Sequence, residues 1–266
     1  MTEVNRTEAN RTEADGRLLK SVAVVTGAGA GLGRALARGL AARGVKVAAL
    51  GRRLEPLQET AAGHEDILPI VCDVSDPLAL DAAFAEVRAA LGPVLLLINN
   101  AAVYPRRDVF EESHASFMET VATNLGGSFG ATRLALEDMA EAGFGRIVNV
   151  TSFADIAPLP ASGAYSASKG AQRILTRALV ADLADRLPDI VINDWLPGML
   201  ATEMGVPDGL DPKVAADWGV RLALWHERSL NGTTFEMMRE LPPARGLKAR
   251  VKDKLLMRRK AKPRQL

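Results

Sequence analysis

Cysteine and histidine are nearly missing from this chain of 266 residues, and no long apolar run occurs in it. A lone Cys72 excludes an internal disulfide and suits a reducing compartment; set in an apolar, strand-like run, it reads as core filler and not as a reactive thiol. His64, His114 and His226 have no metal-ligand spacing, so each reads as an ordinary surface or helix residue and no metal is expected. Without about 18 consecutive apolar residues there is no membrane-spanning helix to predict, and the opening Met-Thr-Glu-Val-Asn-Arg lacks the apolar core of a secretory signal. The expectation is a soluble, cytoplasmic protein. A hydrolase elbow, Gly-x-Ser-x-Gly, is also absent, and no histidine is placed to serve as the base of a serine nucleophile.

The net charge of +1 conceals an uneven distribution. From Arg245 to Leu266 there are ten lysines and arginines against one acid, Asp253, whereas residues 1–20 balance at four of each sign. The body between them is therefore acidic. Residues 1–20 contain Asn-Arg-Thr-Glu-Ala twice in succession and almost nothing apolar before Leu18, which predicts a disordered tail. Residues 21–240 read as a single domain, and 241–266 as a basic extension. Leu247, Val251 and Leu255 draw a narrow apolar stripe along that extension. Such a helix can dock on its own or a neighbouring acidic subunit, or rest peripherally on an anionic membrane; no nucleic acid is expected, since no aromatic residue accompanies the cations.

The body alternates short β-branched runs with helical periods, as a parallel sheet covered on both faces requires. Ser21–Thr26 is a buried-strand pattern running into Gly27-Ala-Gly-Ala-Gly-Leu-Gly33, after which Leu32, Leu36 and Leu40 recur at helical spacing. Strand, glycine turn and helix together place a diphosphate on backbone N–H groups, with Gly27, Gly29, Gly31, Leu32 and Gly33 around it and no Cβ in the way. The second strand ends in Gly51-Arg52-Arg53. An acid there would bond a ribose 2′-hydroxyl, whereas Arg52 and Arg53 suit a 2′-phosphate, so NADP(H) is preferred and NAD(H) remains possible; the competing reading is a solvated helix start. Later strands deliver Asp73-Val74, Asn99-Asn100-Ala101-Ala102 and Pro197-Gly198 to the same sheet edge, where ligands of open parallel sheets bind.

Chemistry is concentrated between Ser152 and Lys169. On a helix, Tyr165 and Lys169 leave one face a turn apart, and an ammonium near a phenol draws its pKa down from about 10 toward the range useful for proton transfer. Ser152 closes a strand-like run from Arg146 and can aim its hydroxyl at the same place. Alone, Tyr-x-x-x-Lys is equally a surface tyrosine beside a solvated lysine. Asn124, inside the long helical stretch 112–142, reads by itself as a local backbone bonder.

Taken together and in order, Thr26–Gly33, Asp73-Val74, Asn99-Asn-Ala-Ala, Asn124, Ser152, Tyr165-Ser-Ala-Ser-Lys169 and Pro197-Gly-Met-Leu-Ala-Thr202 resemble the short-chain dehydrogenase/reductase family over residues 20–205. The resemblance implies an α/β fold: a Rossmann-type, doubly wound parallel sheet of about seven strands between helical layers, commonly in dimers or tetramers. It implies hydride transfer between nicotinamide and an alcohol or a carbonyl substrate. Tyr165 would be the acid or base, Lys169 its tuner and a ribose ligand, Ser152 the group that polarises the substrate carbonyl, and Asn124 the holder of a relay water. Pro197, Gly198 and Thr202 would fix the carboxamide. Two departures stand out: Ala102 replaces a customary glycine, and the lid at Glu203–Leu210 is short. Leu159, Trp195, Met199, Leu200 and Met204 suggest a bulky apolar substrate around it, and the following helix is expected to bury Val214, Trp218, Leu222 and Trp225. The competing readings are a non-catalytic NADP(H)-binding regulator on the same fold and an S-adenosylmethionine methyltransferase; the latter gives no reason for the Tyr165 and Lys169 spacing.

Overall fold

The computed structural model describes residues 16–242 and 262–266. Eight strands form one sheet in the order β3-β2-β1-β4-β5-β6-β7-β8. They are β1 (Val22–Thr26), β2 (Lys46–Gly51), β3 (Ile67–Val71), β4 (Val94–Asn99), β5 (Gly145–Val150), β6 (Ile190–Leu196), β7 (Thr234–Glu236) and β8 (Arg239–Leu241). The first seven are parallel and β8 turns back antiparallel on β7. Seven strands were expected, and β8 is the addition: its three residues are too short and too polar to show a strand period.

Strands β1, β5 and β6 are buried along their whole length, as a sheet covered on both faces demands. Helices α1 (Gly31–Ala41), α2 (Leu54–Ala61), α3 (Pro77–Ala90), α4 (His114–Val121), α5 (Gly127–Ala142), α6 (Gly163–Leu183) and α7 (Pro212–Leu224) supply the covers. Leu36 and Leu40 of α1 and Val220 and Leu222 of α7 belong to one core cluster; Phe84 of α3, Met139 of α5 and Leu183 of α6 belong to the other. Helix starts are set locally. Asp76 and Asp211 each accept from a first-turn N–H with proline following, and Ser113 forms a capping box with Ser116.

Helix α7 buries Leu222 of the expected stripe and packs Trp218 and the following Trp225 against the core, but not Val214. Val214 is 45% exposed, and the inward face is Ala215, Ala216, Gly219, Val220, Leu222 and Ala223. Small residues win there because Trp195 of β6 lies beneath: a Cβ on Gly219 would meet its indole at 2.6 Å. Trp195 is consequently core, fully buried with Nε1 donating to the Met237 carbonyl at 2.9 Å, and not part of a substrate rim.

Arg146, on β5, is also fully buried. Its guanidinium donates to the carbonyls of Leu222 (2.9 Å) and Trp225 (3.1 Å) at the end of α7, and to Ile147 and Val191. These bonds satisfy carbonyls that a helix end leaves open, while burial pulls the guanidinium down to about 9. Leu18, assigned to the tail from sequence, is fully buried; Arg17 lies over the Phe144 ring, and Ser21 Oγ donates to the Leu18 carbonyl. His226 is buried too, stacked on Phe144, contrary to the surface reading. At the other end, Arg264 pairs with Glu240, and Gln265 bridges to Arg239, so the last residues lie on the body. The apolar stripe Leu247, Val251 and Leu255 lies outside the described residues.

Candidate active site

Because β1 to β6 are parallel, their C-terminal ends form one edge, and the topological switch between β1 and β4 opens a crevice there. The glycine turn leaves β1 at this point. Gly27 and Gly31 hold positive φ, 65° and 50°, where glycine is favoured. A Cβ on Gly27 would stand 2.8 Å from the Ala101 backbone, and one on Gly33 would stand 2.2 Å from the Gly27 carbonyl oxygen. Ala30, the N-cap of α1, offers no side-chain acceptor, so no side chain caps the first turn of that helix, which contains Leu32. A shaped backbone cradle at an uncapped helix N-terminus fits the diphosphate of a dinucleotide.

The cradle is braced partly by two residues the sequence reading did not single out, Arg34 and Thr60. Arg34 donates to the carbonyls of Gly29 and Pro56, and Thr60 Oγ1 donates to the Ala28 carbonyl. Thr26 Oγ1 accepts from the N–H groups of Asn100 and Ala101, while the Asn100 amide donates to the Thr26 and Gly27 carbonyls. Thr202 lies across the turn, its methyl 3.0 Å from where a Gly31 Cβ would be. The signal for Arg34 was available: it directly follows the last glycine.

Arg52 lines a cleft of about 500 Å³ together with Tyr104, Arg107, Glu119, Glu203 and Met204. Arg53 does not line it; it is the N-cap of α2. Burial acts against ionisation of Asp73, but hydrogen bonds from the Ser75 hydroxyl and N–H, with the Arg52 charge, hold its carboxyl below the usual range. The Val74 side chain is buried against Gly127, and Cys72 sits beneath this edge with burial pushing its thiol up to about 11. Pro197 is buried, and Gly198 is exposed with φ of 92°.

Ser152 leaves the end of β5 and N-caps a short 3₁₀ turn, Phe153–Asp155, accepting from the Ala154 N–H at 3.1 Å. Arg173 grips Asp155 with two bonds of 2.8 and 2.9 Å, fastening that turn to α6. Tyr165 lies in the first turn of α6, close enough to Ser152 for that side chain to act on its phenol. The phenol pKa, however, is raised above 10: burial pushes it up, and Ser152 acts in the opposite direction. This corrects the expectation that Lys169 draws it down. The ammonium is turned into the core, donating to the Val150 carbonyl at 2.7 Å and Gln172 Oε1 at 3.1 Å, and burial lowers its own pKa to about 8. Tyr104 stacks on the Tyr165 ring with centroids 4.4 Å apart, a contact with no periodic signature in the sequence.

Asn124 lies in a π-helical turn, Ala122–Gly126, that interrupts the helical stretch between α4 and α5. Its side chain does more than bond locally: Oδ1 accepts from the Val103 N–H, and Nδ2 donates to the Val103 carbonyl and to Ser168 Oγ. Asn124 thereby joins the strand β4 loop to α6, one residue before Lys169.

This geometry agrees with the sequence comparisons. The short chain dehydrogenase family profile matches residues 21–212. The chain belongs to the short-chain dehydrogenase family. Among its curated relatives, galactitol 2-dehydrogenase (L-tagatose-forming) of Cereibacter sphaeroides is 36% identical over 76% of this chain and 80% of its own. An NADP-dependent (R)-specific alcohol dehydrogenase of Lentilactobacillus kefiri is 33% identical over 71% of this chain and 76% of its own. A crystal structure of a candidate gluconate dehydrogenase from Agrobacterium tumefaciens is 27% identical and superposes with a TM-score of 0.74 over 81% of this chain and 93% of that one. As a short-chain dehydrogenase, the protein is an NAD(P)-dependent oxidoreductase of alcohol and carbonyl groups. Among the described residues no helix is long and apolar enough to cross a membrane.

Proposed function

We propose that this short-chain dehydrogenase prefers NADP(H) and interconverts an apolar ketone or aldehyde with its alcohol, using Tyr165 as general acid in reduction and general base in oxidation. The observation that carries the reading is the placement, at one sheet edge, of the Gly27–Gly33 cradle together with Ser152 at the end of β5 and Tyr165 in the first turn of α6. Bound nicotinamide supplies or accepts the hydride. Ser152 and Tyr165 would hold the substrate oxygen between two hydroxyls. The proton moves at Tyr165 Oη, whose raised pKa keeps it protonated at neutral pH and ready to act as the acid in reduction. Lys169, fully buried at the back of the site, would hold the ribose, and Asn124 keeps α5 and α6 in register.

The cofactor preference rests on Arg52, exposed at the end of β2 and lining the cleft where an acid would favour a free ribose. Substrate class rests on the apolar rim: Phe153, Ile156, Leu159, Met199 and Met204 are all exposed in the segments flanking Ser152 and Pro197. Such a rim suits a bulky hydrocarbon substituent more than a polyol. The test is oxidation of NADPH and NADH against ketones and aldehydes graded by size and polarity. Tyr165→Phe should bind NADPH with nearly unchanged affinity and lose turnover by at least about a hundredfold, in line with general acid–base contributions; wild-type turnover in this variant would refute the assignment.

A further inference from the structure

A lysine has three N–H donors and no acceptor, so a fully buried ammonium must find oxygens inside the protein. Lys169 finds two, the Val150 carbonyl and Gln172 Oε1. The second contact decides the orientation of an otherwise ambiguous amide. Since only the oxygen of Gln172 can face a donor, its Nε2 faces the other way, toward Ser128 Oγ at 2.9 Å. Ser128, accepting there, spends its own proton on the Asn124 carbonyl at 2.8 Å.

The chain then returns to the helix it left. The Asn124 amide donates to Ser168 Oγ at 3.0 Å, and Ser168 donates to the Tyr165 carbonyl at 2.7 Å. Every link runs donor to acceptor in one direction, from the Lys169 ammonium through α5 and the π-turn back to α6. Gln172, Ser128, Asn124 and Ser168 are each at most 6% exposed, so no water substitutes cheaply for a lost link. Packing alone does not call for glutamine: leucine has similar bulk and no polar group to desolvate.

We propose that Gln172, anchored by Ser128, is a positioning residue that holds the Lys169 ammonium in place and so sets how Lys169 meets the cofactor and Tyr165. The proposal rests on the oxidoreductase reading above. An amide does not pass a proton in the way a hydroxyl or water does, so this connection works as a strut and not as a proton path. The other ionisable group acting on Lys169 is Asp194 on β6, influenced in turn by Arg173, Arg177 and Asp155.

The test uses the full chain with Gln172→Met, Gln172→Glu, Ser128→Ala and Tyr165→Phe. Ketone reduction would be measured from pH 6 to 10, NADPH dissociation constants by fluorescence, and unfolding midpoints without cofactor. Losing a hydrogen bond to a charged group predicts that Gln172→Met weakens NADPH binding or lowers kcat by about tenfold to a hundredfold. The loss should be largest on the alkaline side, because the ammonium loses a stabilising acceptor and deprotonates at lower pH. Gln172→Glu, whose carboxylate still accepts from Lys169, should return the alkaline limb to the wild-type position or beyond. Ser128→Ala should shift it less, in the same direction, and this variant carries the test if Gln172→Met does not fold. Wild-type constants and pH profiles for Gln172→Met and Ser128→Ala beside an inactive Tyr165→Phe would overturn the strut alone. Wild-type turnover in Tyr165→Phe would overturn the strut and the oxidoreductase roles together.

Discussion

Replacing Asp194 by asparagine should stabilise this enzyme, and the gain should grow with pH. Asp194 lies on β6, 2% exposed, and Thr176 Oγ1 donates to its Oδ1 at 2.7 Å. Burial pushes its carboxyl from 3.8 up to about 7, against the lowering effects of Thr176, Arg173 and Arg177. For an acid raised on folding, the stabilising contribution is complete below the unfolded pKa and is lost as pH climbs through the folded value, because the unfolded chain ionises first. The window is therefore pH 4 to 7. Above it, ionised Asp194 costs the fold at most about 4 kcal/mol, at 1.36 kcal/mol per pKa unit. Between pH 5 and pH 8 the advantage of Asp194→Asn should widen by roughly 2–3 kcal/mol. Asparagine can still accept from Thr176; its new N–H₂ offsets about 1 kcal/mol of the gain at every pH without altering the widening. Urea denaturation of both proteins at pH 5, 6, 7 and 8 measures it. Two curves that stay parallel across the series would refute the claim that burial governs this carboxyl.

Three further outcomes follow from the geometry. Arg52→Asp should move the ratio of NADPH to NADH efficiency by about tenfold or more toward NADH, since it exchanges a partner for the 2′-phosphate for one that repels it; an unmoved ratio in steady-state kinetics would refute the 2′-phosphate assignment. Gly33→Ala forces a Cβ within 2.2 Å of the Gly27 carbonyl and 2.6 Å of the Asn100 amide. Cofactor affinity, read by fluorescence titration, should fall by more than about tenfold, with the unfolding midpoint several degrees lower. Arg146→Lys cannot reproduce the fork that reaches the Leu222 and Trp225 carbonyls, and should cost about 2–4 kcal/mol by denaturant titration.

Much of this was legible before any coordinates, and for identifiable reasons. The glycine turn, the strand and helix alternation and the Tyr165 to Lys169 spacing are local patterns: each reports a backbone conformation or a one-turn separation along a single helix. A parallel sheet then carries the ends of its strands to one edge, so Gly27, Asp73, Asn100, Ser152 and Pro197 had to share that edge once the topology was right. The readings that changed depend on what lies opposite. Trp195 and Val214 exchanged places as core and surface because the neighbouring helix carries Gly219, which leaves room for an indole. Leu18 joins the core cluster that contains Phe144, more than a hundred residues away in the chain, with Arg17 over that ring and His226 stacked on it.

The active site divides in the same way. Sequence by itself determined which groups stand at this edge, because a nucleotide cradle and a helical Tyr and Lys pair are specified by neighbours within a few residues. Only the tertiary structure decided how they are poised. The direction of the Lys169 ammonium, the raised phenol of Tyr165, its stacking against Tyr104 and the strut through Gln172 and Ser128 all depend on burial and on partners from other elements. Solvation and hydrogen bonding act through space, and the order of residues in a chain does not by itself record which distant surface will close over a charge.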